Sequence, residues 1–570
     1  MNATPKQYDA VIVGSGAGGG MAAYVLTQRG LNVLLLEAGR NYDPRAETPM
    51  FQIEADAPLN GAKTPDKEQG FYDATIGGSD IPGEPYTFPE GSKFLWWRAR
   101  MLGGRTNHWG RMSLRYGPYD FHNYSHDGLG VDWPFSYKDL APYYDRVEKL
   151  IGVFGAAEGL ENSPDSPPGV LLPPPPLRGY ELFAQRVLEK RFGIHAVPSH
   201  AAILTRPYNG RQACLYATPC PRGCSVAANF QSPTVLLPPA LATGRLQIRT
   251  QAMVYEVPLD RRGRASGARY IDTRTGAHHF ARARTVVLAA SSCETARILL
   301  NSKSASFPTG LANNSGQVGR NLTNTPGVSV SAHIPALQGL PPVNEDGAGI
   351  EHAMAPWQGF SDKAAGRLNF ATEYQVHING GRTMPAVADF TCLPQERGRP
   401  LYGQALRQRL RREYGSFLTL SVEGGMIPNS DCWCEIDPAV KDRFGIPVLR
   451  FHWKYGPQER ALVKHAVSFL SDVISAMGGK PNVETGAEGG ILGDDSDDFA
   501  FHELGTARMG TKASDSVLTA FGHAWDVRNL YVTDGASFCG NACKNPTETI
   551  LALAWRASDH LVDSLARKKI

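Results

Sequence analysis

Apolar and polar positions alternate along this chain in two registers. Tyr8–Val13 is a short run, apolar but for Asp9, Gly18–Arg29 carries Ala, Val and Leu at helical spacing, and Asn32–Leu36 is apolar again after its first residue. Runs that short and continuous suit strands buried on both faces, so the chain opens on a βαβ unit. Further buried strands are predicted at Thr285–Ala290, leading into a helix over Cys293–Ser302, and at Asn529–Thr533, followed by an amphipathic helix from about Pro546 to Leu565. Between these, Phe417–Val422 and Val448–Trp453 alternate residue by residue, which suits an antiparallel sheet with one wet face across residues 367–456. Residues 155–179, with Ser166–Gly169 and Pro173–Pro176, predict an extended surface loop. Residues 336–365, rich in Gly, Pro and Ala, predict a lid or partner-facing loop.

The pattern predicts an α/β Rossmann-like domain with an inserted α+β domain on an antiparallel sheet. The nucleotide part is expected in residues 1–130, 210–330 and 490–570, and the substrate part in 131–209 and 331–489. A chain of 570 residues is too long for one simple core, which agrees with two domains. The net charge of +3 comes without a basic block, so nucleic acid is not the expected partner. No run of about 18 apolar residues occurs, which argues against a spanning helix, and no apolar segment precedes the first strand. Nine cysteines is an odd number for a disulfide framework and predicts mostly buried thiols.

The chemistry concentrates at the two ends. Gly14, Gly16 and Gly19 form a G-x-G-x-x-G turn between strand and helix, and Glu37 ends the next strand. Glycines there allow a tight turn and close approach of a pyrophosphate to the positive helix end, and Glu37 can accept from a ribose hydroxyl. The motif does not separate FAD from NAD. At the other end, His502–Gly510 precedes Asn545–Thr549. A neutral imidazole can take a hydroxyl proton near neutral pH, and an amide such as Asn545 can hold the alcohol oxygen without competing for that proton. Asn545-Pro546 also predicts an N-cap followed by Pro at the first helical position, so the helix dipole would favour negative charge beyond Asn545.

Together with Leu102–Trp109, Val318–Leu322 and Asp534-Gly535, these motifs in this order resemble the glucose–methanol–choline (GMC) oxidoreductase family over nearly the whole length. The resemblance implies FAD, with Gly103, Asn107, His108, Val254, Asp534, Pro546 and Thr547 added to Gly14, Gly16, Gly19 and Glu37 around it. It also implies His502 and Asn545 as the catalytic pair. Within the family the chain is similar to bacterial sugar dehydrogenases, glucoside 3-dehydrogenase catalytic subunits especially, with pyranose oxidases as cousins. In the latter the histidine matched by His108 can carry covalent FAD, whereas related dehydrogenases hold the flavin dissociably.

Cys214, Cys220 and Cys224 lie in one loop as C-x5-C-x3-C. Three readings stay open: a 3Fe–4S cluster, as some sugar dehydrogenases of the family carry, a loop disulfide or inert thiols, and zinc with His200 as a further ligand. Cys432 and Cys434 alternate in a predicted strand and suit packing. The function expected is FAD-dependent oxidation of a secondary hydroxyl of a sugar or glycoside, at C3, with electrons passed to a cytochrome or quinone. An oxidase using oxygen and a non-redox flavin lyase are the alternatives. A small leader-bearing subunit and a cytochrome c are the implied partners, and the periplasm the implied location, with the cytoplasm as alternative. Gln375 and the Glu351–Met354 loop are candidates for substrate contact.

Overall fold

The computed structural model describes residues 7–47, 76–78, 80–215, 220, 223–340, 350–358, 366–381, 395–396, 399–484 and 499–570. Strands of its two large sheets are numbered here in chain order. They are β1 (Tyr8–Val13), β2 (Val33–Leu36), β3 (Val197–Pro198), β4 (Leu246–Arg249), β5 (Ala252–Glu256), β6 (Gly267–Asp272) and β7 (His278–Leu288). They continue as β8 (Gly327–His333), β9 (Ala353–Trp357), β10 (Tyr374–Gly380), β11 (Phe417–Gly424), β12 (Asn482–Glu484) and β13 (Leu530–Val532). The helices used below are α1 (Ala17–Gln28), α2 (Tyr137–Ile151), α3 (Ser292–Asn301), α4 (Pro457–Ala476) and α5 (Thr547–Ala566).

The first sheet runs β4-β2-β1-β7-β6-β5, with β13 beside β7. β1 pairs parallel with β2 and β7, and β7 parallel with β13, which makes the doubly wound core of a Rossmann-like domain. β7 begins earlier than the sequence pattern suggests. Its last residues, Thr285–Leu288, are buried between β1 and β13, but His278–Arg282 pair antiparallel with β6. That half carries exposed His278, His279, Phe280 and Arg282, so it lacks the apolar run expected of a central strand.

The second sheet, β12-β8-β11-β10-β9-β3, is antiparallel throughout. β11 alternates buried and half-buried positions as expected, and α4 packs on the sheet. Val448–Trp453 falls outside this sheet: Pro447–His452 pairs with Trp433–Lys441 as a separate hairpin. Cys434 lies in that hairpin and Cys432 just before it; both are buried, which raises both thiols to about 12, as expected of packing residues. The expected loop at 336–365 contains β9; its residues 341–349 and 359–365 lie outside the described part.

Two glycines of α1 explain how tightly the helix sits on the first sheet. A Cβ on Gly18 would lie 2.1 Å from the Thr533 carbonyl oxygen, and one on Gly19 would lie 1.9 Å from that of Gly14. Gly19 thus serves the close packing of helix on turn. α1 in turn packs against α5, so the C-terminal helix is laid over the N-terminal nucleotide unit. Among the described residues no helix is long and apolar enough to cross a membrane.

Candidate active site

A cavity of about 510 Å³ runs from the β1–α1 turn to the face of the second sheet. At one end it is lined by Gly14, Gly16, Glu37, Val254 and Asp534, and at the other by His502, Asn545, Pro546 and Thr547, with His108 also on its wall. Gly19, Gly103 and Asn107 are absent from the lining. The Gly103 N–H donates to Ser15 Oγ at 2.8 Å, and Ser15 Oγ donates to Glu37. Asn107 is fully buried, its amide donating to the Leu102 and Gly104 carbonyls and accepting from Gln231. Both residues therefore clamp the loop before Trp109 against the nucleotide turn, which sequence motifs alone could not distinguish from cofactor contact.

Glu37 also accepts from the backbone N–H groups of Ser15 (3.1 Å) and Gly39 (2.8 Å). Burial raises its carboxyl, against the pull of those hydrogen bonds. Asp534, at the end of β13, accepts from Thr295 Oγ1 at 2.6 Å and from the Ala536 N–H at 3.0 Å, and burial raises it to about 6. Arg105 joins the two ends of the chain: its guanidinium donates to Glu503 at 2.6 Å, to the Phe501 carbonyl at 2.8 Å and to Ser291 Oγ at 2.9 Å. Neither Arg105 nor Ser291 was singled out by the sequence reading. Ser291 holds a left-handed φ of 83° at the start of α3, a strained position for a non-glycine residue.

His502 is half-buried. Its backbone N–H donates to Asn324 Oδ1 at 3.1 Å, its Nδ1 lies 2.8 Å from Thr325 Oγ1, and its Nε2 lies 3.4 Å from Asn545 Nδ2. Asn545 also hydrogen-bonds Glu423, whose carboxylate can only accept. The Asn545 NH2 group is thus turned toward Glu423 and His502, which leaves Nε2 as the acceptor and Nδ1 carrying the proton to Thr325. Burial, and next the charge of Arg105, hold the His502 pKa below its usual value, and Glu423 opposes them. The arrangement keeps a neutral imidazole with its lone pair at Nε2, poised to take a proton.

Asn545 is not the N-cap predicted for it. α5 starts at Thr547 with Pro546 in the cap position and no side-chain cap hydrogen bond. The amide faces His502, so the backbone N–H groups of the first turn are left uncapped by it. Asn545 Oδ1 is buried without a hydrogen-bond partner among the described residues. The second sheet adds side chains that the sequence reading missed: His377 and Asn379 from β10, and Ser421 and Glu423 from β11, all line the cavity beside Glu351. Alternation along both strands puts each pair on one face, but only the register, His377 opposite Ser421, brings them together. Gln375 is fully buried and lies outside the lining.

Among its described residues the cysteine loop does not assemble a metal site. Cys214 is half-buried, Cys220 and Cys224 are buried, and the Ala228 N–H donates to Cys224 Sγ at 3.3 Å. His200 turns its Nε2 to the Ala156 carbonyl at 3.0 Å. Among the described residues no three His, Cys, Asp or Glu side chains converge as ligands. Among the described residues nothing supports the 3Fe–4S or the zinc reading, since spacing in a loop does not by itself bring thiols together.

Residues 197–327 and 428–554 match the N- and C-terminal models of the GMC oxidoreductases, and residues 12–48 match a model of NAD(P)-binding Rossmann-like domains. A 2-methyl-1,2-propanediol dehydrogenase of Mycolicibacterium austroafricanum is 32% identical over 98% of this chain and 96% of its own length. The chain belongs to the GMC oxidoreductase family. The large subunit of a fructose dehydrogenase of Gluconobacter japonicus is 28% identical over 98% of both chains. A paromamine 6'-oxidase of Streptomyces fradiae is 28% identical over 99% of this chain and 93% of its own. The protein is therefore an oxidoreductase acting on alcohol or sugar hydroxyls, and membership implies FAD.

The cavity fits that cofactor at its nucleotide end. Gly16 lines the cavity in the cap position of α1, and a Cβ there would meet nothing nearer than 3.9 Å. That is where a pyrophosphate gains from the helix dipole. His108 is 8% exposed and lines the cavity wall. Acid precipitation of the holoprotein is expected to release free FAD into the supernatant; yellow colour retained in the washed pellet would assign a covalent link.

Proposed function

We propose that the protein is an FAD-dependent dehydrogenase that oxidises a secondary hydroxyl of a sugar or glycoside, at C3, to a ketone. The observation that supports it most directly is that His502 and Asn545 line one cavity together, with His502 Nε2 3.4 Å from the Asn545 amide nitrogen. His502 takes the hydroxyl proton: the substrate O–H bond breaks and an N–H bond forms at Nε2 as the C=O bond forms. Thr325 holds Nδ1 and thereby the ring plane and tautomer. Asn545 steadies the alcohol oxygen. Bound FAD supplies the acceptor for the hydride, the electron pair of the broken C–H bond. Asn324 fixes the backbone of His502, and Arg105 ties the Leu102–Trp109 loop to the same segment. In this reading the FAD-binding part comprises residues 1–130, 210–330 and 490–570, and the substrate part the rest.

The polar wall made by Glu351, His377, Asn379, Ser421 and Glu423 supports a polyhydroxylated substrate over an apolar alcohol. A relative that is a dehydrogenase large subunit supports an acceptor protein, a cytochrome or a quinone-linked subunit, and with it a periplasmic complex. A relative that is an oxidase makes oxygen the second reading. The test is an anaerobic panel of glucose, methyl α-D-glucoside, fructose and propane-1,2-diol, with the flavin band followed before and after a dye acceptor or air. Bleaching by the glycosides, a 3-keto product and fast reoxidation by the dye but slow reoxidation by air are expected. No bleaching with any alcohol overturns the proposal, and reoxidation by air within one turnover assigns the oxidase.

A further inference from the structure

Behind Asn545 the cavity wall carries a chain of ionisable side chains. Glu351 Oε1 lies 2.6 Å from His377 Nδ1, and His377 Nε2 lies 3.6 Å from Glu423 Oε2. Glu423 is hydrogen-bonded to Asn545, whose Nδ2 is 3.4 Å from His502 Nε2. All five residues line the same cavity. We infer that the Glu351–His377–Glu423 set is the counter-charge for His502 when it takes the substrate proton, with Glu423 as the positioning residue that delivers it through Asn545. The inference rests on the proposed role of His502 as base.

Two carboxylates and one imidazolium leave the set with one net negative charge beside a neutral His502. Protonation of His502 then brings the four groups to neutrality inside a cavity wall, where an isolated imidazolium would be costly. The charge states agree with this count. Burial disfavours a charged His377, yet the Glu423 charge and the Glu351 hydrogen bond outweigh it and raise the ring to about 10. Burial likewise works against the Glu423 carboxylate, and the charge and hydrogen bond of His377 outweigh it, leaving about 2. The other charges that reach His502 are Arg105, which lowers it, and Glu503, which raises it, and these two are already joined in a 2.6 Å ion pair. Glu423 is therefore the partner free to favour the imidazolium, and His377 sets how much of its charge His502 receives.

Charge arithmetic gives two substitutions opposite signs. Glu423→Gln removes a negative charge, so the imidazolium is disfavoured and the acid limb of kcat/KM moves to lower pH, by about 1 unit. His377→Gln removes a positive charge and moves the same limb to higher pH by about as much. The measurement uses FAD-loaded enzyme with methyl α-D-glucoside and a dye acceptor. The same order is read without substrate from a pH titration of the His502 ring by nitrogen NMR, the signal being assigned by its loss in His502→Ala. Glu423→Asp should restore most of the wild-type profile. If His377→Gln fails to load FAD, Glu351→Gln replaces it and should move the limb down, as Glu423→Gln does. Limbs that stay put, or glutamine variants at 423 and 377 that move the same way, overturn the inference. A His502→Ala protein that still bleaches overturns the base itself, a different outcome from an inactive His502→Ala beside unmoved limbs.

Discussion

His502→Ala loses about 10²–10⁴-fold in kcat/KM and keeps its flavin, the loss being what a positioned proton acceptor contributes. The argument is local. His502 is the side chain whose Nε2 faces Asn545, and its other contacts, Thr325 at Nδ1 and Asn324 at the backbone N–H, hold rather than react. The nucleotide end, from Gly14 to Glu37, makes no hydrogen bond to it among the described residues, so removing the ring should leave FAD binding intact. Sign fixes the pH dependence as well. A base works when unprotonated, and burial lowers the His502 pKa from its ordinary 6.5. The acid limb of wild-type kcat/KM is therefore expected below pH 6.5. Stopped-flow bleaching under anaerobic conditions checks both points. A His502→Ala variant that bleaches at the wild-type rate sinks the assignment, and an acid limb above that pH would mean that the base is another group.

The βαβ unit was legible in the sequence because short apolar runs and glycines at fixed offsets carry their own geometry. β1 is found at Tyr8–Val13 as expected, and α1 and β2 fall within a residue of their predicted limits. The polar half of β7 was not legible, since alternating Arg282 and Arg284 give the pattern of a surface strand in a segment that goes on to be central. Asn545 shows a similar limit at the site. Asn before Pro is a strong cap signal, but tertiary neighbours offered the amide better partners than the helix did. His377 and Glu423 stayed hidden for another reason. Alternation says that they share a face with their i±2 neighbours, not that the face belongs to the cavity; the pairing of β10 with β11 decides that. For the cysteine loop, spacing suggested a ligand set that the described residues do not draw together.

Lys544→Met is expected to destabilise the protein by about 3–5 kcal/mol and to remove activity with it. Lys544 is 1% exposed, with Nζ 2.8 Å from Asp120 and 3.5 Å from Glu373. Asn162 adds an amide between the same two carboxylates, at 3.3 Å from each. Methionine replaces the stem but not the charge, so two carboxylates are left facing one another in the interior. Such a pair relaxes only by taking up protons or water. Position makes the loss functional, because the next residue is Asn545 and the one after begins the turn into α5. The pH behaviour separates this role from that of His502. Burial alone would lower the Lys544 pKa, but Asp120 and Glu373 raise it above the ordinary lysine value of 10.5. A cation with a raised folded pKa stabilises fully below its unfolded value, and that contribution is lost only as pH rises through the folded one. Between pH 6 and 9 the stability difference between wild type and Lys544→Met should thus owe nothing to titration of the lysine. Thermal melts of both holoproteins across that range measure it. A variant as stable as wild type at neutral pH, with Asn545 still supporting turnover, would show that the carboxylates do not need the ammonium group.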